Sequence, residues 1–204
     1  MNIAVFASGR GSNFQAILKA IDDGRLPARV SLLLSNNSNA GALDLARSRN
    51  IPAIHLNQKQ CSSEGQYEER LLELLTRYDV DLIALAGYMK RIPATVIDRF
   101  RNRILNIHPA LLPAFGGAGM YGIHVHEAVL ASGARTTGAT VHLVDEEYDR
   151  GPIVMQQTVE VMNNDTPETL AARVLLIEHE IYPKAIAAFA NKKVHIEGSK
   201  VWIQ

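Results

Sequence analysis

The stretch that decides the fold is NIAVFASGRGSN, residues 2–13, at the start of the chain. Its first half, Asn2 to Ala7, is a short apolar run that predicts a buried strand. The second half is a glycine-bearing turn. A helical pattern follows it, in which Ser12 and Gln15 have the spacing of a capping box. The chain therefore opens with a strand, a tight turn and a helix, which is the first unit of an α/β fold.

Short apolar runs with the length of strands continue along the first half of the chain, and helical patterns separate them. The further strands are predicted at Val30 to Leu34, Ala53 to Leu56, Asp81 to Ala86 and Ile104 to Ile107. The helices are predicted at Ser12 to Asp23, Ala40 to Arg49, Gln66 to Tyr78 and Pro93 to Arg101. This alternation predicts βαβ units with right-handed crossovers, and hence an open, twisted, mostly parallel sheet flanked by helices.

The pattern changes after Ala110. A glycine-rich loop, a helix at Val125 to Ala131 and two β-like runs follow, and the two runs predict an antiparallel hairpin added to the sheet. Pro167 then opens a long helical pattern in which Pro183 is a candidate interruption. The two β-like runs are Gly138 to Val144 and Pro152 to Val161, and a short β-like tail spans Val194 to Ile203. No repeat or linker divides the sequence, so we expect a single domain over residues 1–204.

Composition limits the partners that the protein can have. The chain has 204 residues, of which 47% are hydrophobic, and Lys+Arg 21 balances Asp+Glu 21. Without a net field to hold a polyanion, nucleic-acid and membrane-surface binding are not expected. Cys61 is the single cysteine, which excludes an internal disulfide, and neither a signal peptide nor an apolar run of about 18 residues is recognised. A cytoplasmic enzyme is the expectation.

The turn from Ser8 to Asn13 is a candidate phosphate site. Glycines allow close approach of the backbone, and the N–H groups and dipole at the following helix start attract an anion. NAD and ATP are disfavoured, because Phe14 replaces the third glycine of G-x-G-x-x-G and no Lys-Ser/Thr pair follows as in a P-loop. A plain strand-to-helix turn stays an open alternative. Ligands of open α/β sheets bind beyond the carboxyl ends of the strands, which favours the phosphate.

A second group of polar residues follows the strand that starts at Ile104. Asn106 and His108 lie two apart and so share one face of the strand. The acidic run that ends at Asp149 falls in the turn of the predicted hairpin, which would return carboxylates to the same edge of the sheet. Acyl transfer to an amine needs an oxyanion stabiliser, a proton donor and a proton acceptor, which one Asn, one His and one Asp can supply. Loop bonding by Asn106 and His108, and turn formation by Asp149, are the alternatives.

Two other histidine features have plainer interpretations. His124 and His126 have the spacing of metal ligands, but no third or fourth ligand follows at a usual distance, so no metal is expected. His142 lies in an apolar alternating run, which predicts a hydrogen-bonded structural residue. The acidic run from Asp145 to Glu147 is by default a solvated turn.

Six segments make the chain similar to the folate-dependent glycinamide ribonucleotide formyltransferase family, over essentially its whole length. They are Ser8 to Asn13, Leu85 to Lys90, Leu105 to Pro113, Gly138 to His142, Asp149 to Pro152, and Glu178-His179 with Ile181 to Pro183. The resemblance implies a Rossmann-like formyltransferase fold. It also implies an enzyme of purine biosynthesis that moves the formyl group of 10-formyltetrahydrofolate to the amine of glycinamide ribonucleotide, as a monomer or homodimer.

The resemblance also implies residue roles. Asn106, His108 and Asp149 would be catalytic, with His108 as proton donor and Asp149 adjusting its pKa. The ribonucleotide side would be bound by Gly11, Ser12, Asn13 and Glu178. The folate would be bound by Met89, Lys90, Arg91, Ile92, Asn106, Asp145, Glu146 and Asp149. Core packing by Met89 and Ile92 is compatible with this.

Three features depart from the family pattern. Glu64 and Gly65 stand where many members have a basic residue that can meet the glutamate tail of folate. The glycine-rich segment 115–122 is longer than in short members and is a candidate mobile cover. Arg150 occupies a position where the residue is often small.

The alternative functions are those of an enzyme that formylates initiator methionyl-tRNA, a deformylase, and a sugar-phosphate-binding module without catalysis.

Overall fold

A computed structural model describes all residues, 1–204, and the chain divides into two compact units, Met1–Leu105 and Asn106–Gln204. One sheet of seven strands has the order β3-β2-β1-β4-β5-β6-β7, and β8 and β9 form a separate two-stranded sheet. The strands are β1 Asn2–Phe6, β2 Arg29–Ser35, β3 Ala53–His55, β4 Leu82–Leu85, β5 Ile104–His108, β6 Thr136–Leu143, β7 Ile153–Glu160, β8 Val194–Glu197 and β9 Lys200–Ile203. The α/β fold with a mostly parallel sheet and helices around it is confirmed.

Six α-helices lie between and after the strands. They are α1 Ser12–Asp22, α2 Gly41–Ser48, α3 Glu64–Arg77, α4 Ala94–Arg99, α5 Ile123–Ala131 and α6 Pro167–Ala190. Each predicted helix is present, with ends that differ from the predicted ones by up to two residues in most cases. None of the helices is both long and apolar enough to cross a membrane.

The core of the first unit is built around β1. Its residues from Ile3 to Phe6 are completely buried, which is why they read as an unbroken apolar run. β1 pairs in parallel with β2 on one side and β4 on the other, so Phe6 lies opposite both Leu34 and Leu85. The strand order reverses between β1 and β4. A crevice at the carboxyl ends of two such strands is the usual ligand position in open α/β sheets.

The turn after β1 differs from the prediction at one point. Helix α1 begins at Ser12, and its N-cap is Gly11, which has φ +86° and makes no side-chain cap. The predicted capping box of Ser12 and Gln15 is therefore wrong, because Ser12 is already helical and Gln15 N–H donates to the carbonyl oxygen of Gly11. A Cβ at Gly11 would lie 2.9 Å from Cβ of Ala42, so glycine is required by both the backbone angle and the packing.

The second unit contains the hairpin and the long helix. β6 and β7 pair antiparallel, which confirms the predicted hairpin. Helix α6 starts at Pro167 after a Thr166 cap and continues through Pro183, so the candidate interruption does not occur. Tyr182 and Ala185 on either side of this proline are fully buried, and this packing holds the turn in helical form although one backbone N–H is missing. The β-like tail is the hairpin β8–β9.

Candidate active site

The three residues that were predicted to act together lie in one cluster of the second unit. Asn106 and His108 come from β5, and Asp149 from the loop between β6 and β7. Nδ1 of His108 lies 3.6 Å from Oδ2 of Asp149. Asn106 Nδ2 lies 3.0 Å from Nε2 of His142. Nε2 of His142 also lies 3.4 Å from Oδ1 of Asp149. The amide, the imidazole and the carboxylate therefore meet, with His142 between Asn106 and Asp149.

His142 is the hydrogen-bonded structural residue that its apolar run predicts. Its side chain is buried, and Nδ1 lies 2.8 Å from the carbonyl oxygen of Leu143. A carbonyl only accepts, so Nδ1 carries a proton and Nε2 is the atom that faces Asn106 and Asp149. Two catalytic candidates thus lie next to one nitrogen of His142, which can accept an amide N–H or donate to a carboxylate, but not both at once.

The backbone of the glycine-rich segment covers the cluster. His108 Nε2 donates to the carbonyl oxygen of Phe115 at 2.8 Å, and the N–H of Gly117 donates to Oδ2 of Asp149 at 2.9 Å. Between them, a Cβ at Gly116 would lie 2.5 Å from a methyl carbon of Leu112 and 3.1 Å from Cβ of Asp149. Sequence reasoning missed these contacts, since every residue has a backbone N–H and C=O; the only available signal was the Gly-Gly pair.

Burial and charge oppose each other at the two acid–base groups. Burial lowers the pKa of His108 below its ordinary value of 6.5; the Asp149 carboxylate and the Phe115 carbonyl act in the opposite direction and only partly offset this effect. Burial would raise the pKa of Asp149, but the contacts with His142, His108 and the Gly117 N–H outweigh it and lower that pKa. The structure thus favours a neutral imidazole beside an ionised carboxylate. The Asp149 carboxylate raises the pKa of His108, as expected, but its effect is smaller than that of burial.

The predicted phosphate turn lies in the first unit. Gly9 and Arg10 are exposed, Gly11 and Asn13 are buried, and the first turn of α1 carries no acidic residue that would repel an anion. Asn37 Nδ2 donates to the carbonyl oxygen of Ser8 at 3.3 Å, which links the turn to the segment after β2. The backbone conformation is compatible with an anion at the α1 start.

A profile of the formyl transferase family matches residues 1–186. The chain belongs to this family. It is 38% identical over 183 residues to phosphoribosylglycinamide formyltransferase of Bacillus subtilis, covering 90% of this chain and 91% of that protein. It is 48% identical over 193 residues to the chloroplastic phosphoribosylglycinamide formyltransferase of Arabidopsis thaliana, covering 94% of this chain but 66% of that protein. The chain therefore spans about two thirds of the length of this plant relative.

Solved structures of the family have the same fold. The crystal structure of glycinamide ribonucleotide transformylase 1 from Symbiobacterium toebii aligns with a TM-score of 0.93 at 41% identity, over 100% of this chain and 93% of that chain. The predicted formyltransferase fold is therefore confirmed.

The remaining site candidates differ in how far they are exposed. In the first unit, Met89 is half exposed and Ile92 is buried, so Ile92 also serves the core. In the second unit, Asp145 accepts the N–H of Glu147 at 3.0 Å. The exposed candidates are Lys90, Arg91 and Glu146, and Glu178 is buried on α6. Their binding roles stay predictions.

The two histidines with metal-ligand spacing face different surroundings. His124 is exposed and contacts Glu127 at 3.0 Å, whereas His126 is buried. No group of three or more His, Cys, Asp or Glu side chains is arranged to hold a metal ion. Burial lowers the pKa of His126, and His108 lowers it further by charge.

Proposed function

We propose that this formyl transferase moves the formyl group of 10-formyltetrahydrofolate to the amine of glycinamide ribonucleotide, a step of purine biosynthesis. The observation that carries the proposal is the cluster of Asn106, His108 and Asp149 in a chain of this family. Relatives that align over nine tenths of both chains bear the name phosphoribosylglycinamide formyltransferase, which supports the substrate.

The reaction exchanges one carbon–nitrogen bond for another. The amine nitrogen attacks the formyl carbon, the bond from that carbon to N10 of the folate breaks, and one proton passes from the attacking to the leaving nitrogen. Negative charge develops on the formyl oxygen in between. No nucleophilic side chain is needed, because the amine attacks directly.

Each of the three residues has one role in this scheme. The Asn106 amide and the His108 ring N–H stabilise the formyl oxygen as charge develops. The Asp149 carboxylate favours the protonated form of His108, and its low pKa keeps it ionised to accept the proton that the amine releases. Nε2 of His142 lies against both Asn106 and Asp149.

The hydrogen bond of His108 to Phe115 implies a change of partner during the reaction. Nε2 donates to the Phe115 carbonyl, and Nδ1 faces Asp149, so both ring nitrogens are engaged. For Nε2 to donate to the formyl oxygen, the Phe115 carbonyl has to move away. We infer that segment 115–122 shifts when substrates bind, in keeping with its glycine content.

Binding is assigned to the residues that the resemblance to the family indicates. Gly11, Ser12 and Asn13 would hold the phosphate, with Glu178 on the ribonucleotide side. The Met89 to Ile92 segment, Asp145 and Glu146 would bind the folate. A cytoplasmic location stays a prediction, since a plant relative is chloroplastic by name. A monomer or a homodimer is equally compatible with this scheme, and no metal enters it.

The experiment that tests the function separates it from its alternatives. The purified protein is incubated with 10-formyltetrahydrofolate alone, with glycinamide ribonucleotide added, or with initiator methionyl-tRNA added, and release of tetrahydrofolate is followed. We expect release of tetrahydrofolate only in the arm with the ribonucleotide, and mass spectrometry of that arm should detect the formylated ribonucleotide. Release of tetrahydrofolate with no amine acceptor would indicate a deformylase. Formylation of the tRNA would indicate the transferase that acts on initiator methionyl-tRNA. No release in any arm would indicate a binding module without catalysis.

A further inference from the structure

Ser8 occupies the point at which the strand order of the first unit reverses. It follows β1 by two residues, and β1 lies between β2 and β4 in the sheet. Its side chain is partly buried, and it stands three residues before Gly11. None of the roles assigned above uses the Ser8 side chain, although ligands of open α/β sheets bind at this kind of position.

The Ser8 hydroxyl joins the ends of three strands. Its oxygen accepts the backbone N–H of Met89 at 2.8 Å, and it donates its proton to Oδ1 of Asn36 at 2.5 Å. The backbone N–H of Ser8 donates to the carbonyl oxygen of Gly87 at 3.1 Å. Ser8 thus holds the segment after β4 at two points, and holds the segment after β2 through Asn36. With its proton donated and its oxygen accepting, the hydroxyl has a positioning role rather than a chemical one.

Buried residues flank the exposed part of the segment that Ser8 holds. The buried Tyr88 hydroxyl lies 3.2 Å from the Tyr67 hydroxyl, and the Tyr88 ring packs edge-on against Phe6 at 5.3 Å between centroids. Immediately after Tyr88 the chain becomes exposed over residues 89–91 before Ile92 is buried again. The Ser8 hydroxyl therefore fixes the backbone at the residue where this exposed stretch begins.

We propose that Ser8 is a positioning residue that fixes the folate-lining segment, Met89 to Ile92, relative to the phosphate turn. This inference rests on the proposed function, which assigns folate to Met89–Ile92 and phosphate to Gly11–Asn13. Ser8 belongs to the same short turn as the phosphate groups and bonds directly to the first residue of the folate segment. Its hydroxyl acts on folate binding through the Met89 backbone.

The test compares Ser8→Ala with Ser8→Thr in steady-state kinetics. Ser8→Ala removes the acceptor of the Met89 N–H but leaves the backbone bond to Gly87. We expect KM for 10-formyltetrahydrofolate to rise by roughly 5- to 30-fold, since a partly buried donor loses its partner. The kcat value and KM for the ribonucleotide should change by less than about threefold. Ser8→Thr keeps the hydroxyl and should restore most of the folate KM, and Ser48→Ala on the exposed end of α2 is the matched control.

The outcomes separate this inference from the proposed function. If the wild-type protein transfers no formyl group, the function fails. If the wild type is active and Ser8→Ala keeps a normal folate KM, or loses kcat and both KM values alike, the positioning role of Ser8 is overturned.

A second variant keeps the test decisive if Ser8→Ala folds poorly. Asn36→Ala removes the acceptor of the Ser8 proton and leaves the hydroxyl bonded to Met89. We expect a smaller rise in the folate KM, of about two- to fivefold, with kcat retained. Where Ser8→Ala does fold, the effects of Ser8→Ala and Asn36→Ala in the double variant should be less than multiplicative, because both changes act through one hydroxyl. Fully multiplicative effects, or an Asn36→Ala protein with unchanged folate KM, would contradict the proposal.

Discussion

The imidazole of His108 and the carboxylate of Asp149 face each other at 3.6 Å, with only 4% and 10% of their side chains exposed. They come from a strand and from a loop some 40 residues later, and backbone groups of the glycine-rich segment bond to both. The pair is therefore shielded from water, where a proton donor and a charged partner influence each other strongly.

Replacing the carboxylate should change both the rate and the ionisation of His108. Asp149→Asn keeps the size of the side chain and an acceptor for the Gly117 N–H. Because the negative charge raises the pKa of His108, its loss should lower that pKa further below 6.5. We expect kcat/KM to fall by roughly 10²- to 10⁴-fold. NMR titration of the His108 ring, with the exposed Glu147→Gln as control, would contradict this if the pKa rose or stayed the same.

The glycine at position 116 should be required for activity more than for folding. Gly116→Ala would place a methyl group 2.5 Å from the end of the Leu112 side chain and 3.1 Å from Cβ of Asp149, so Leu112 has to move and the Asp149 side chain is crowded. We expect a stability loss of about 1–3 kcal/mol and a larger proportional loss of kcat. Gly65→Ala, within helix α3 and without close neighbours, should keep full activity. Normal kcat for Gly116→Ala would show that the contact with Asp149 is dispensable.

The phosphate assignment predicts an effect on one substrate. Asn13→Leu removes the amide at the start of α1, so KM for the ribonucleotide should rise by roughly tenfold or more while KM for the folate changes little. Asn13→Asp keeps the shape of the side chain but adds a negative charge, which would repel the phosphate. It should therefore raise KM for the ribonucleotide more than Asn13→Leu does. Equal effects on the two KM values would refute a phosphate role for Asn13.

Buried histidines predict a loss of stability in mild acid. Burial lowers the pKa values of His108, His126 and His179 below the ordinary 6.5. The unfolded chain therefore takes up these protons first as the pH falls. Their contribution to the free energy of unfolding is fully present above about pH 6.5 and is lost as the pH falls through the folded-state pKa values.

His126 offers the cleanest single test of this effect. It is buried, and its Nδ1 has no hydrogen-bond partner. In urea titrations between pH 7.5 and pH 5, His126→Gln should show a shallower decrease of the unfolding free energy than the wild type. His124→Gln, on the exposed side of the same helix, is the matched control. A slope for His126→Gln as steep as that of the wild type would contradict the prediction.

Much of the fold could be predicted, because the signals for it are local. β1 is buried on both faces and so reads as an unbroken apolar run, and the antiparallel hairpin was recognisable from two consecutive β-like runs in the sequence. The errors arose where distant packing decides. The N-cap of α1 has to be glycine because Ala42 lies against it, and α6 continues past Pro183 because its neighbours are buried.

The site was predictable to the extent that side-chain chemistry identifies it. The spacing of Asn106 and His108 on one strand indicated a shared face, and their resemblance to a family added Asp149. The carbonyl of Phe115 and the N–H of Gly117 were not predictable, since backbone groups carry no residue-specific signal. The net lowering of the His108 pKa was not predictable either, because it depends on how deeply the side chain is buried, and the identity of a residue does not give its burial.

The most direct test of the central claim is the rate of formyl transfer by His108→Ala. With 10-formyltetrahydrofolate and glycinamide ribonucleotide, we predict a fall in kcat/KM of roughly 10²- to 10⁴-fold in a protein whose circular dichroism and unfolding midpoint show that it is folded. His124→Ala, an exposed histidine of α5, should retain wild-type turnover. Turnover by folded His108→Ala within a few-fold of the wild type would contradict the account.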